Sequence, residues 1–489
     1  MINYLPISRK IVFFGANVCL VVGIVALISE LHFDPVGGRS RSREVLSQEF
    51  IRGDANDDGG VDISDGIFTI NYLFTGGAKP LCLSASDTND NGAIDISDAI
   101  SVFSYLFAGG SDPSPPFPLS GLDPTPDLGC RDAPPPEIPP VGELGGPDRE
   151  LVGAERDAWR RGRALFDRAG RVVEGLGPLF NGDSCRGCHL DPVLGGSGGT
   201  DVDVVRFASV DEFGVVSQLD GGPAAMRLSI AGVARHEAPP EANVFEQRQT
   251  PSLLGLGLID RLPDAVILEF ADPDDTTGDG ISGRARFLED GRLGRFGHKC
   301  GVVSLLDFTA DAIFNELGLT VDPSLSPNAV GSDTDAVSDP EFGENDFMDL
   351  AFFIEHLAPV LPDEPPDGAS QATIDAGEVH FLSIGCADCH RPEIVGSEGP
   401  VRPYSDFLLH DVGDPARYFV NETDVDPREF RTAPLWGLRF SAPYMHNGEG
   451  ETITRAIELH HGEAQSAKEN FQALDFLEQF ELRRFLLSL

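Results

Sequence analysis

The sequence predicts a mainly α-helical chain built of several folded units, and three observations predict it. An acidic stretch repeats between Asp54 and Asp87, an offset of 33 residues, and each copy ends in one amphipathic helix. From residue 148 onward, helical patterning alternates with long Gly-, Pro- and Asp-rich loops and shows few stretches of period-two alternation. A Cys-x-x-Cys-His run occurs twice, at Cys185, Cys188 and His189 and at Cys386, Cys389 and His390. At 489 residues the chain exceeds one ordinary domain, so two or three folded units are expected.

Charge narrows the function classes. The chain carries 36 basic against 79 acidic side chains, a net charge of -43, which repels nucleic-acid phosphates and anionic lipid surfaces. The acidity is uneven: residues 53–130 hold twelve Asp, no Glu and one basic residue, Lys79, a composition suited to hard cations.

The first element is the apolar run "IVFFGANVCLVVGIVALIS" at 11–29, which follows Arg9 and Lys10 and has about the ~20 residues of a membrane helix. Residues 1–30 therefore read as a signal peptide or membrane anchor. No small-x-small cleavage site follows, which favours an uncleaved anchor with everything beyond residue 30 outside the cytoplasm.

The second element is the acidic repeat at 53–130. Asp54, Asn56, Asp58, the Gly60 carbonyl, Asp62 and Asp65 fall at the 1-3-5-7-9-12 positions of a Ca2+ loop. Asp87, Asn89, Asn91, the Ala93 carbonyl, Asp95 and Asp98 repeat the set, with Gly59 and Gly92 at the bend. Ile67, Ile70, Phe74 and Ile100, Phe103, Phe107 lie on one face of each following helix and are expected to pack the two helices together. The paired loops, the "YLF" helices and the 33-residue period resemble a type I dockerin module, and the resemblance implies a cohesin-like partner. Cys82 and Cys130 flank the end of this segment and, in an exported chain, can pair. The Pro-rich residues 131–147 read as a linker.

The third and fourth elements are the units 148–370 and 371–489, each centred on one Cys-x-x-Cys-His run. That spacing is the one used to attach haem c, because two thiols add to the vinyl groups while the adjacent imidazole ligates the iron. A zinc site would need four gathered ligands, and a redox dithiol would not need the histidine. Two covalent haems are therefore expected, and haem attachment of this kind implies export.

The sixth iron ligand decides what each haem can do. In "ETITRAIELHHGEA", Ile453, Ile457 and His460 share one helix face, so His460 is the leading candidate for the second haem, with Met445 of "SAPYMHNGEG" its rival. For the first haem only His236 and Met226 stand near enough in sequence, in poorly patterned surroundings, and an open or water-bound iron is favoured over both.

The segment from about 148 to 489 resembles the bacterial di-haem peroxidase superfamily, most closely its di-haem oxidoreductase branch, sometimes called thiol oxidoreductase. The resemblance is carried by "GPLFNGDSCRGCH", "RQTPSLLGLGLIDRLPDAVI", "ADPDDTTGDGISGRA", "GRFGHK", "GEVHFLSIGCADCHRP", "YSDFLLHDVG", "RTAPLWGLRFSAPYMHNGEGETITRAIELHHGEA" and "FELRRFLLSL". It implies two cytochrome-c-like domains, with the C-terminal haem taking electrons from a donor protein and passing them to a peroxidatic N-terminal haem. By position it implies His460 as distal ligand, Asp260 as a distal acid and Arg248 as a cation near the first haem. It also implies a Ca2+ between the haems, for which Asp272, Asp274 and Asp279 are the available acids. Trp436 stands between the motifs, on an electron path or simply in a core. The sequence departs from the family pattern in lacking a clear histidine over the first haem, and in placing His298 and Cys300 in "FGHKC".

The expectation is thus an exported, membrane-anchored di-haem c oxidoreductase of peroxidase type in the cell envelope, fed by a small cytochrome or copper protein. The alternatives are a pure electron-transfer cytochrome or a Ca2+-dependent docking protein. No nucleophile elbow, Walker loop or dinucleotide glycine fingerprint is present.

Overall fold

The computed structural model describes residues 50–56, 59–75, 79–80, 82–118, 121, 123–125, 128, 138–220, 222–363 and 368–489. The apolar run at 11–29, Asp58 of the first acidic loop, Cys130 and most of the linker lie outside the described residues. Among the described residues, no helix is long and apolar enough to cross a membrane.

The acidic repeat folds as two loop-helix units. Helices α1 (Ile63–Phe74) and α2 (Ile96–Phe107) start at Asp62 and Asp95, whose carboxylates accept from Ser64 N and Ser97 N, while Asp65 and Asp98 close capping boxes behind them. The expected packing face is corrected in part: Phe103 packs against α1 at Gly66. Ile67, Phe74, Ile100 and Phe107 are exposed, and the helices meet instead over Gly66, Thr69, Ala99 and Val102. Gly66 allows this: a Cβ there would come within 2.3 Å of the Phe103 ring, so the small side chain sets the closest approach. Cys82 is disulfide-bonded.

Two helix pairs frame the rest. Helix α3 (Ala154–Asp167) packs on α5 (Glu344–Glu355), and α6 (Gln371–Ser383) packs on α8 (Phe476–Ser488), while α4 (Leu305–Leu317) and the short α7 (Ile453–Glu458) carry side chains into the cavity described below. Each pair closes on a glycine. A Cβ at Gly162 would lie 2.0 Å from the Asp349 carbonyl oxygen, and one at Gly377 would lie 2.2 Å from that of Glu481. Aromatic edges fill the space around these contacts, with Trp159 and Phe166 against Phe353 at 5.0 and 5.3 Å, and Phe381 against Phe485 at 5.4 Å.

The mainly helical expectation is corrected to a mixed fold. Strands β1 (Val204–Val210) and β2 (Val244–Arg248) pair antiparallel, and β3 (Leu409–Asp411) pairs with β4 (Glu429–Arg431). The reason they escape a period-two reading is visible in β2. Its inward face carries Val244, Glu246 and Arg248, and the exposed positions are Phe245 and Gln247. The usual apolar-in pattern is inverted because the buried Glu246 and Arg248 carboxylate and guanidinium pair at 2.8 Å.

The largest core gathers Trp159, Phe166, Ile259, Phe347, Phe353 and Leu357, and it also takes in Ile394, Phe407, Leu408 and Trp436 from beyond residue 371. A second core of Phe381, Tyr404, Ile453, Phe471, Leu482 and Phe485 sits under α6 and α8.

Candidate functional site

Each Cys-x-x-Cys-His run folds as a single tight turn. His189 N donates to Cys185 O at 2.9 Å and His390 N to Cys386 O at 3.0 Å, which sets the two sulfurs and the imidazole on one side of the turn. Both runs line one cavity of about 1340 Å³. That exceeds the ≈ 300–1,000 Å³ of an ordinary small-ligand pocket.

The imidazoles are held in one tautomer. His189 Nδ1 lies 3.1 Å from the Gly196 carbonyl and His390 Nδ1 lies 2.9 Å from that of Tyr404. A carbonyl only accepts, so each Nδ1 carries the proton and each Nε2 keeps its lone pair. Burial pushes both imidazoles down to about 4, so they are neutral at ordinary pH. His460, which also lines the cavity, repeats the device: its Nδ1 lies 2.8 Å from Ala456 O, and burial again lowers its pKa. Burial pushes the Cys185 and Cys386 thiols up to about 12 and Cys188 up to about 11. Such thiols do not ionise near neutrality, the opposite of what a redox dithiol requires. Neutral imidazole lone pairs beside un-ionised sulfurs, on the wall of a cavity this large, fit covalent haem at both runs.

The other expected residues divide. Met445, in a turn at φ 73°, Trp436 and Arg248 line the cavity. Arg248 is buried there, paired with Glu246 and lying 5.7 Å from the Phe430 ring centroid. Asp260 does not line it: the carboxylate accepts from Leu305 N at 3.3 Å, at the start of α4, and burial pushes it up to about 6. His236 and Met226 are likewise absent from the wall. The Asp272, Asp274 and Asp279 grouping is corrected, because their oxygens do not gather within metal-binding range; Asp272 accepts from Thr276 N and Thr277 N inside its own turn. Among the described residues, the acids whose oxygens gather within metal-binding range are Asp333, Asp335 and Glu341.

The wall also holds residues to which the sequence assigned no role, and among them His298 stands out in the sequence only as a departure from the family pattern. Asp311 and Glu316, on α4, line it, and burial raises both carboxyls; Glu316 accepts from Asn181 Nδ2 at 2.8 Å. His298 lies with Nε2 3.2 Å from Gln249 O, and burial takes it down to about 3. His446 stacks on Phe430 at 3.9 Å, its buried Nε2 without a hydrogen-bond partner. Against the C-terminal run stands His410, with Nε2 3.0 Å from Asp406 Oδ2 and Nδ1 2.7 Å from Glu463 Oε2. Burial opposes the charged form of His410, but Asp406, Cys389 and Glu463 outweigh it and hold the imidazole up at about 12.

In the second acidic loop the carboxylates turn inward. Asp87 accepts from Asn91 N and Gly92 N at 3.0 and 2.8 Å, and Asp98 accepts from Asn89 N and Asp95 N at 3.3 and 2.9 Å. Burial, with the charges of Asp87 and Asp95 nearby, pushes Asp98 up to about 6. A cluster of this kind carries unrelieved negative charge, but its oxygens are not among those that gather within metal-binding range in the described residues. In the first loop, Asp54 and Asp65 repeat the inward hydrogen bonds to Gly59 N and Ala55 N.

Residues 241–489 match the family described as "Di-haem oxidoreductase, putative peroxidase". The chain belongs to the di-haem oxidoreductase family. The matched span includes the second Cys-x-x-Cys-His run and begins after the first. A curated relative, cytochrome c551 peroxidase of Pseudomonas aeruginosa, is 31 % identical over 136 residues, 25 % of this chain and 39 % of the relative. The chain thus spans about two-fifths of that relative's length. Among solved structures, a hydrazine synthase of Kuenenia stuttgartiensis aligns at TM-score 0.34 and 15 % identity over 72 % of this chain and 97 % of its own. A MauG-like protein associated with microbial copper homeostasis aligns at TM-score 0.35 and 15 % identity over 73 % and 93 %.

Proposed function

We propose that the protein is an exported di-haem c oxidoreductase of peroxidase type, in which electrons enter on the C-terminal side from a small cytochrome or copper protein and are used on the N-terminal side. The observation that carries this reading is that both Cys-x-x-Cys-His runs, with their Nε2 lone pairs free, line one cavity. When bound, the haems supply one-electron transfer and, at an iron with an open face, peroxide chemistry.

The chain's own residues have divided tasks. His189 and His390 ligate from the attachment side, and His460 is the second ligand on the C-terminal side, ahead of Met445. On the N-terminal side, His236 and Met226 are off the wall, which favours an open face there. Glu316, rather than Asp260, is the acid placed to move a proton, because it lines the cavity and keeps its proton to higher pH than an exposed carboxyl. Arg248 offers a fixed positive charge to an anionic reactant in the same space. Location outside the cytoplasmic membrane follows from haem attachment, and the run at 11–29 supplies the signal or anchor.

Holoprotein from a cytochrome-maturing host tests the reading. Two haems per polypeptide by pyridine haemochrome and turnover of hydrogen peroxide with a reduced donor protein are expected. Two low-spin ferric signals by low-temperature EPR, with no peroxide turnover, would make it an electron carrier instead.

A second reading concerns the acidic module. Ile63, Ile67 and Phe74 on α1 and Ile96, Ile100 and Phe107 on α2 form two matching exposed apolar sets. Together with the Ca2+-loop spacing of the sequence, they support a dockerin-like, Ca2+-dependent docking role toward a cohesin-like partner. Calorimetric titration of the full chain with Ca2+ should show two sites, lost in Asp87→Ala and Asp54→Ala together. Absence of any Ca2+ binding removes this reading.

A further inference from the structure

Buried His410 faces a carboxylate from each ring nitrogen, and the two carboxylates come from opposite sides of the C-terminal site. Asp406 belongs to the attachment side: its backbone N donates to Cys389 O at 3.1 Å, and its Oδ1 accepts from Leu408 N at 3.0 Å. Glu463 belongs to the His460 side, three residues after that histidine. It accepts at Oε1 from Asp411 N at 3.1 Å and from Ser282 Oγ at 2.7 Å, and at Oε2 from Ser282 N at 3.0 Å. His410 Nδ1 also lies 3.6 Å from Cys389 Sγ.

The backbone repeats the tie. His461 N donates to Val412 O at 3.2 Å, and a Cβ at Gly462 would come within 2.0 Å of Asp411 O. The segment that carries His460 therefore lies directly on β3, and β3 is pinned to the attachment turn through Asp406 and His410.

We propose that Asp406, His410 and Glu463 form a brace that fixes the separation of His390 and His460, so that His410 is a positioning residue for the sixth ligand of the C-terminal haem. The inference rests on the reading of His460 as that ligand. Helix α7 is only six residues long, and His460 lies beyond its end, where the helix itself gives little rigidity. Both N–H groups of His410 have acceptors, and replacing either acceptor's charge leaves one side of the brace loose. Through Ser282 the brace also reaches the Asp-rich loop after Phe270, so the ligand's position is tied to that loop as well.

The test uses ferric holoprotein carrying both haems, read by low-temperature EPR and near-infrared absorbance, with haem content and thermal unfolding measured alongside. Three variants are compared: His460→Ala, His410→Gln and Glu463→Gln. His460→Ala should abolish the low-spin signal of the C-terminal haem. His410→Gln and Glu463→Gln should lose the greater part of that signal, giving either a high-spin signal or the near-infrared band of a thioether-ligated iron where Met445 replaces His460. Added imidazole should restore the low-spin signal in all three, which a general loss of fold would not allow. Glu463→Gln is the milder change and decides the matter where His410→Gln does not accumulate with two haems. Wild-type spectra in both brace variants, with His460→Ala altered, overturn the brace while leaving the ligand reading intact. A wild-type spectrum in His460→Ala overturns the ligand reading itself and the brace with it.

Discussion

The two Cys-x-x-Cys-His halves use the same parts and differ in what surrounds them. In both, a helix with one tightly packed glycine and one buried phenylalanine precedes the motif, Gly162 and Phe166 in the first and Gly377 and Phe381 in the second. In both, the motif histidine donates from Nδ1 to a carbonyl and is neutral through burial. The N-terminal half then presents two carboxyls, Asp311 and Glu316, whose pKa values burial raises. The C-terminal half presents His460 opposite the attachment run and the His410 cluster with both nitrogens engaged. Groups able to give up or accept a proton gather on one side, and groups that fix geometry gather on the other. Such a division suits a site where bond-breaking and electron entry are kept apart.

The sharpest way to break this comparison is Glu316→Gln. A positioned general acid contributes typically 10²–10⁴-fold, so peroxide turnover should fall by about that factor. The ligand spectrum of the C-terminal haem should stay unchanged. Equal turnover in the variant would mean that the N-terminal carboxyls are merely buried and that the two halves differ less than their walls suggest.

The shared parts can be tested separately. Gly162→Ala and Gly377→Ala each force a methyl into a carbonyl oxygen, and overpacking of this kind costs typically about 1–3 kcal/mol. Both should lower the melting temperature of holoprotein by several degrees, and each should disturb the spectrum of its own haem first. A loss confined to one variant would show that one helix pair, not both, carries its half.

Much of this was legible in the sequence, for identifiable reasons. Covalent chemistry fixes the spacing of Cys185, Cys188 and His189 and of their C-terminal counterparts, so no tertiary knowledge is needed to find them. The Ca2+-loop pattern is equally local. His460 could be placed because the helical periodicity of Ile453 and Ile457, carried just past the end of α7, points it inward. What stayed hidden depends on contacts between distant segments. His410 meets Glu463 across 53 residues and Asn181 meets Glu316 across 135, and no pattern along the chain announces either pair. The strands were missed because β2 buries Glu246 and Arg248 and exposes Phe245. The helix faces at Ile67 and Ile100 were misjudged because Gly66 receives the Phe103 ring beside Thr69, Ala99 and Val102, which turns Ile67, Phe74, Ile100 and Phe107 outward.

Asp260 gives the smallest effect and the cleanest control. Its carboxyl lies off the cavity and accepts from Leu305 N, a hydrogen bond that an asparagine oxygen can keep. Burial raises its pKa to about 6, against 3.8 for a free carboxyl, even though the hydrogen bond at the start of α4 pulls the other way. Between those values the folded chain holds a proton that the unfolded chain has released, so stability declines as pH climbs from about 4 to about 6 and is level above that. The full shift corresponds to about 3 kcal/mol, and partial exposure reduces this to about 1–2 kcal/mol. Asp260→Asn should therefore flatten that decline, leave the protein at least as stable at pH 7 as the parent, and leave turnover unchanged. Thermal unfolding at a series of pH values measures the first two and a peroxide assay the third. A turnover loss as large as that of Glu316→Gln would return Asp260 to the chemistry and remove the proton-handling role assigned to the cavity wall.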